Sequence, residues 1–113
     1  MAEDVGAAVR EIFRLMPEQL NTDTSKGMTS VIQFHLTGDG GGEWFVSIND
    51  ATCNVSEGTH EAPNMTMTMS ASDYVDMITG KLNGQMAFMS GKLKIAGDMG
   101  LAMKMQSLFK RPA

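Results

Sequence analysis

The sequence predicts an α+β fold in one domain, residues 1–113, on three observations. The apolar period is three to four residues at the start, two through the middle and a mixture of both afterwards, so a helix, strands and further helices follow one another. Glycine and Asn-Asp clusters fall between the alternating segments, where hairpins and turns need them. A length of 113 residues allows one modest core and no division into two.

The first element places Val5, Ala8, Val9, Ile12, Phe13 and Met16 on one face of an amphipathic helix. Glu3 and Asp4 stand at its amino end, where the helix dipole favours anions, and Arg10 and Arg14 come later. Pro17 is expected to stop the helix and Asn21 to Gly27 to form a polar connection. The period then becomes two. In Val31–Leu36, Ile32, Phe34 and Leu36 share one face, and Val31, Gln33 and His35 the other. The glycine-rich loop 38–42 turns the chain into Trp44–Ile48, with Trp44, Val46 and Ile48 on one face. Asn49-Asp50 marks a turn into a third strand, Thr52–Ser56, carrying Cys53 and Val55. A polar loop from Glu57 to Asn64 leads to Met65-Thr66-Met67-Thr68-Met69, a fourth strand with its methionines inward. These four strands read as an antiparallel meander.

Helical spacing returns after Ser70. Ser70 or Ser72 can cap, Asp73 suits the first turn, and Tyr74, Met77, Ile78 and Leu82 form the stripe. Gly80 and Asn83-Gly84 break it, and a short helix with Met86, Phe88 and Met89 runs to Ser90-Gly91. Lys92–Ala96 alternates as a last strand, closed by Gly97-Asp98. A final helix covers Met99 to about Phe109, with Leu101, Met105, Leu108 and Phe109 on one face, flanked by Ala102. Met99 and Met103 point the opposite way, beside Gln106. That second pair reads either as ordinary exposed surface or as a face turned to a cavity or a partner.

Composition excludes several classes of function. Apolar residues make up 42% and charged ones 19%, unlike a disordered tail, and no run approaches the roughly 20 apolar residues of a spanning helix. A net charge of −4 argues against a nucleic-acid binder. Cys53 is the one cysteine, so no internal disulfide forms. The opening residues are acidic where an export signal is basic, which points to the cytoplasm and makes the sequons at Asn54 and Asn64 accidental. The oddity is twelve methionines against one Trp and one Tyr. Flexible and polarizable, methionine suits an irregular core, a ligand cavity or a surface that accepts varied partners.

No reaction centre emerges from the sequence. The glycines at 38–42 run into Glu43-Trp44, and Gly80-Lys81 and Gly91-Lys92 are followed by Leu, so no phosphate loop is present. His35, His60 and Cys53 lack the paired spacing of a zinc site, and neither metal nor cofactor is expected. Folding could bring Cys53 to His35 or His60 as a nucleophile and base, but a cysteine sharing a strand face with Val55 is more often a small buried hydrophobe. His35 alternates toward solvent. Asp73 and Asp76 flank a helix stripe and most simply cap and solvate it.

The order of these elements, with Gly80-Lys81, Ala87-Phe88 and the stretch Gly91-Lys92-Leu93-Lys94-Ile95-Ala96-Gly97-Asp98, resembles the sterol carrier protein 2 family over about residues 3–110. A Gly-Lys, an Ala-Phe pair and a lysine-bearing strand ending in Gly-Asp recur there in that order. The turn Ser47-Ile48-Asn49-Asp50 and the Met65–Met69 strand are similar too. Two positions depart from the pattern: Asn64 replaces the aspartate often found before the fourth strand, and Arg111-Pro112-Ala113 is not a peroxisomal Ser-Lys-Leu signal.

The resemblance implies a five-stranded, mainly antiparallel sheet covered by helices and enclosing a hydrophobic tunnel. It implies a non-enzymatic carrier of fatty acid, fatty acyl-CoA, sterol or phospholipid, with transient membrane contact and no nucleic acid. The expected lining is Met67, Met69, Met77, Ile78, Met86, Phe88, Met89, Met99 and Met103. The rival expectation is a protein-interaction module that uses an exposed Met-rich surface.

Overall fold

The computed structural model describes residues 5–38, 40–101 and 104, with Thr24 described for its backbone alone. Helix α1 spans Val5–Gln19 and buries Gly6, Val9, Phe13 and Met16, the face its apolar spacing predicts. Pro17 does not stop it. The helix continues to Gln19 because a proline in the last turn forfeits one N–H bond, while the buried Met16 and Leu20 hold that turn to the core. The polar connection also contains a one-turn helix, α2 (Thr22–Ser25), whose start is capped by Asn21 Oδ1 accepting the Asp23 N–H at 3.1 Å.

The five strands are β1 (Thr29–Thr37), β2 (Gly42–Asn49), β3 (Thr52–Glu57), β4 (Met65–Ser70) and β5 (Lys94–Gly97), in the order β3-β2-β1-β4-β5. The meander expected of the first four strands is therefore wrong at its last step. β4 does not follow β3 at the edge but returns to pair with β1 in parallel, with Ile32, Phe34 and Leu36 opposite Met65, Met67 and Met69. Strand alternation cannot show this, because it fixes which side chains face the core and not which strand lies alongside. The return is secured from the outer face of the sheet. Gln33, buried there, donates through Nε2 to the carbonyls of Trp44 (3.1 Å) and Gly58 (3.0 Å), and its Oε1 accepts the His60 N–H at 2.8 Å. One glutamine thus clips the β3–β4 loop across β1. The other three strand pairings are antiparallel, as expected.

Two helices follow β4: α3 (Ala71–Ile78) and α4 (Gly84–Met89). Ser70, not Ser72, caps α3, its Oγ accepting the Asp73 N–H at 3.0 Å. Asn83 caps α4 through Oδ1, which accepts the N–H groups of Gln85 (2.9 Å) and Met86 (3.1 Å). β5 starts two residues later than expected, because the N–H groups of Lys92 and Leu93 both go to the Ala87 carbonyl. The Gly-Asp at its end has a clear geometric role. A Cβ on Gly97 (φ +101°) would stand 2.5 Å from the Asn64 carbonyl, which accepts the Asp98 N–H at 2.9 Å. Asp98 Oδ1 in turn accepts the Leu101 N–H at 3.1 Å, starting a helical turn that opens at Met99. Leu101 is buried as expected, whereas Ala102, Met103, Met105, Gln106, Leu108 and Phe109 of the expected final helix lie outside the described residues. Among the described residues no helix is long and apolar enough to cross a membrane.

Candidate functional site

Strand register assembles the inner face of the sheet row by row. One row runs Ile95, Met67, Phe34, Trp44, and the next runs Met65, Ile32, Val46, Val55. The rows change character along their length. On the α1 side they meet an aromatic cluster in which Phe13 stacks on Trp44 (ring centroids 4.6 Å apart, planes at 9°) and on Tyr74 (5.6 Å), and meets Phe34 edge-on at 5.2 Å. On the β4 side the wall is Met65, Met67 and Met69, all buried, with Met77, Ile78, Leu82 and Ile95 half-buried against the same core.

The expected site residues therefore divide into three groups. Met67 and Met69 form the buried wall on β4, and Met77 and Ile78 lie half-buried on α3, with Met77 Sδ resting over Gly84 at the start of α4. Met86, Phe88, Met89 and Met99 face outward, with relative exposures of 64, 44, 75 and 48%. Met103 lies outside the described residues. α4 itself is held by little: of its six residues only Ala87 is buried.

An open groove of about 470 Å³ lies elsewhere, between α1 and the β2–β3 edge, lined by Arg10, Phe13, Arg14, Pro17, Trp44, Cys53, Asn54 and Val55. None of the expected lining residues borders it. Its signal in the sequence was the pair Arg10 and Arg14, four residues apart and so on one side of α1. Arg14 is bound to Glu11, one turn earlier.

The groups considered for chemistry are placed apart. Cys53 is buried on the inner face, and burial pushes its thiol up to about 11, so at neutral pH it is a protonated hydrophobe and not a nucleophile. His35 and His60 belong to the outer face: His35 Nδ1 is hydrogen-bonded to Glu43, and the His60 ring meets Phe45 edge-on at 5.3 Å. Neither accompanies Cys53. Asp73 sits in the first turn of α3, and the Asp76 carbonyl accepts the N–H groups of Lys81 and Leu82. Burial among the aromatic rings raises the Tyr74 phenol above its ordinary value. Asn64, noted in the sequence only as a sequon and a departure from an aspartate, has a structural role. Its Oδ1 accepts the Val31 N–H at 2.7 Å, which an amide oxygen does as well as a carboxylate would.

This arrangement agrees with known proteins. The family model described as the SCP-2 sterol transfer family matches residues 9–110. The chain belongs to the SCP-2 sterol transfer family. It is 42% identical over 105 residues to hydroxysteroid dehydrogenase-like protein 2 of Bos taurus, covering 92% of this chain and 25% of that protein. The chain thus spans about a quarter of the length of such curated relatives. The solution structure of the sterol carrier protein domain 2 of Helicoverpa armigera is 33% identical, with a TM-score of 0.76 over 88% of this chain and 84% of that one. Palmitated SCP2L2 from Aedes aegypti shares the fold at 22% identity, with a TM-score of 0.69 over 95% of this chain and 93% of that one. The sterol-carrier domain is a lipid-binding fold, and the α+β sheet with its covering helices is common to the family.

Proposed function

We propose that this sterol-carrier domain binds one lipid molecule between the methionine wall of β4 and its covering helices, and carries it without chemical change. The candidate cargoes are a fatty acid, a fatty acyl-CoA, a sterol or a phospholipid. The observation that carries this reading is a contrast in anchoring: β4 offers three buried methionines, yet α4, whose first residue lies against Met77 of α3, buries one alanine. Burying an acyl chain is worth roughly 0.8 kcal/mol per methylene, so about ten methylenes reach micromolar affinity without a specific polar contact. Unbranched methionines can re-pack around a straight chain or fused rings at small cost. Met67, Met69, Met77 and Ile78 are then the inner wall, and Met86, Phe88, Met89, Met99 and Met103 the mouth. The palmitated state of the Aedes aegypti protein supports an acyl ligand for this fold.

Native mass spectrometry of protein purified without detergent should show a bound lipid, and delipidated protein should take up a fluorescent fatty acid. Protein that arrives empty and ignores the probe at tens of micromolar is not a lipid carrier. The exposure of Met86, Met89 and Met99 favours one rival, a surface that docks a protein helix. A pull-down that depends on these methionines, by a chain that takes up no lipid, would decide for it.

A further inference from the structure

The large exposed hydrophobic side chains on α4 have a distinctive charge environment. Met86, Phe88 and Met89 protrude within one turn and a half of a six-residue helix. Lys81 precedes that helix and Lys92 follows it, both exposed, and the Lys92 N–H is bonded to the Ala87 carbonyl in the helix's last turn. Residues 77–97 contain Lys81, Lys92 and Lys94 and no Asp or Glu, although the chain as a whole carries a net charge of −4. The acidic side chains thus lie outside this stretch. A chain that is acidic on balance outside this stretch, yet offers apolar side chains between lysines here, suits a partner that is both anionic and apolar beneath its charged layer.

We infer that α4 is a docking face for an anionic lipid bilayer: Met86, Phe88 and Met89 enter the boundary between headgroups and acyl chains, and Lys81 and Lys92 bind the headgroups. The uneven placement of charge, cationic around α4 and acidic on balance elsewhere, orients the protein so that this face leads. The purpose of the contact rests on the carrier reading, because it brings the thinly anchored helix beside Met77 against the membrane that supplies or receives the lipid.

The test is flotation of the full chain with phosphatidylcholine vesicles, with and without a third of phosphatidylglycerol. Binding should require phosphatidylglycerol and fade at about 0.5 M salt, as screening predicts. Lys81→Gln with Lys92→Gln should weaken it about tenfold or more. Phe88→Gln with Met89→Gln should weaken it comparably while the circular dichroism spectrum and melting temperature stay as in the parent. The lysine variant should take up fluorescent fatty acid in the absence of vesicles as the parent does. Loss of vesicle binding on Arg10→Gln with Arg14→Gln, with the α4 variants unaffected, would move the contact to α1 and overturn the proposal. So would an absence of vesicle binding in a chain that dimerises or binds another protein through α4. Fatty-acid uptake without vesicle binding sinks this proposal alone, whereas α4-dependent vesicle binding without uptake sinks the carrier reading and leaves the docking face standing.

Discussion

The two halves of the inner sheet face are built from different materials. Under α1 the contacts are aromatic: Phe13, Phe34, Trp44 and Tyr74 meet at ring-centroid distances of 4.6 to 5.7 Å in stacked and edge-on pairs. Rings have few rotamers and directional contacts, each such pair adding about 0.5–1.5 kcal/mol beyond its buried area. Along β4 the wall is methionine, with Met77 of α3 half-buried against the same core, and the three rotatable bonds and unbranched shape of these side chains tolerate repacking. The helices differ in the same sense. α1 is anchored by four buried residues over fifteen, α4 by Ala87 alone. One half sets the geometry of the fold, and the other leaves room for it to change locally. The difference teaches where ligand-induced rearrangement costs least.

The largest test of this contrast is Phe13→Ala. The ring touches three others and is buried, so its loss should cost about 3–5 kcal/mol, a large share of a small domain's stability, measured by urea denaturation. A much smaller cost would mean that the aromatic half also yields. Next comes the double variant Met67→Leu, Met69→Leu. It conserves volume, so stability should fall by less than about 1.5 kcal/mol, whereas the branched and stiffer wall should narrow the range of lipids bound. Binding of straight-chain and ring-fused ligands, compared in one displacement assay, checks that. An unchanged preference would show that methionine flexibility has no part in recognition.

The sequence made some parts of this molecule easy to read and others invisible. Element types were legible because each buries one face: Ile32, Phe34 and Leu36 alternate, Met65, Met67 and Met69 alternate, and all six are buried. The cap of α3 was legible because Ser70 precedes that helix at the right spacing, whereas Asn83, read only as a break, caps α4. The parallel placement of β4 beside β1 was not legible. It depends on Gln33, a polar residue whose position on the outer face looked like ordinary exposure until the loop folded over it. The run of α1 past Pro17 was hidden for a similar reason, since the burial of Leu20 three residues on is a tertiary fact. For the site, the sequence identified which residues are methionine, and the structure divided them into a buried wall and an exposed rim.

A smaller effect tests the cover. Ser70→Ala removes the hydroxyl that accepts the Asp73 N–H and should cost about 1 kcal/mol. α3 carries Tyr74 into the aromatic cluster, so that loss should appear in global unfolding. Asn83→Ala removes a comparable cap from α4, where little is anchored. Its loss should appear chiefly as faster amide hydrogen exchange in residues 84–89, with a smaller change in global stability. Equal global costs would mean that α4 is as firmly bound to the core as α3.

The smallest expected stability change is that of Met89→Gln. This side chain is the most exposed of the large hydrophobics on α4, and a surface substitution away from caps and buried groups usually changes stability by less than about 0.5 kcal/mol. Glutamine also matches methionine in length and closely in helix propensity, so the backbone has no reason to shift. A loss near that of Phe13→Ala would therefore require Met89 to be covered in solution, by a second copy of the chain or by a segment of its own. Because only self-association depends on protein concentration, repeating the melt over a hundredfold dilution separates those two covers. A melting temperature that does not move in either case leaves Met89 facing water, which is the condition the exposed rim of the methionine half requires.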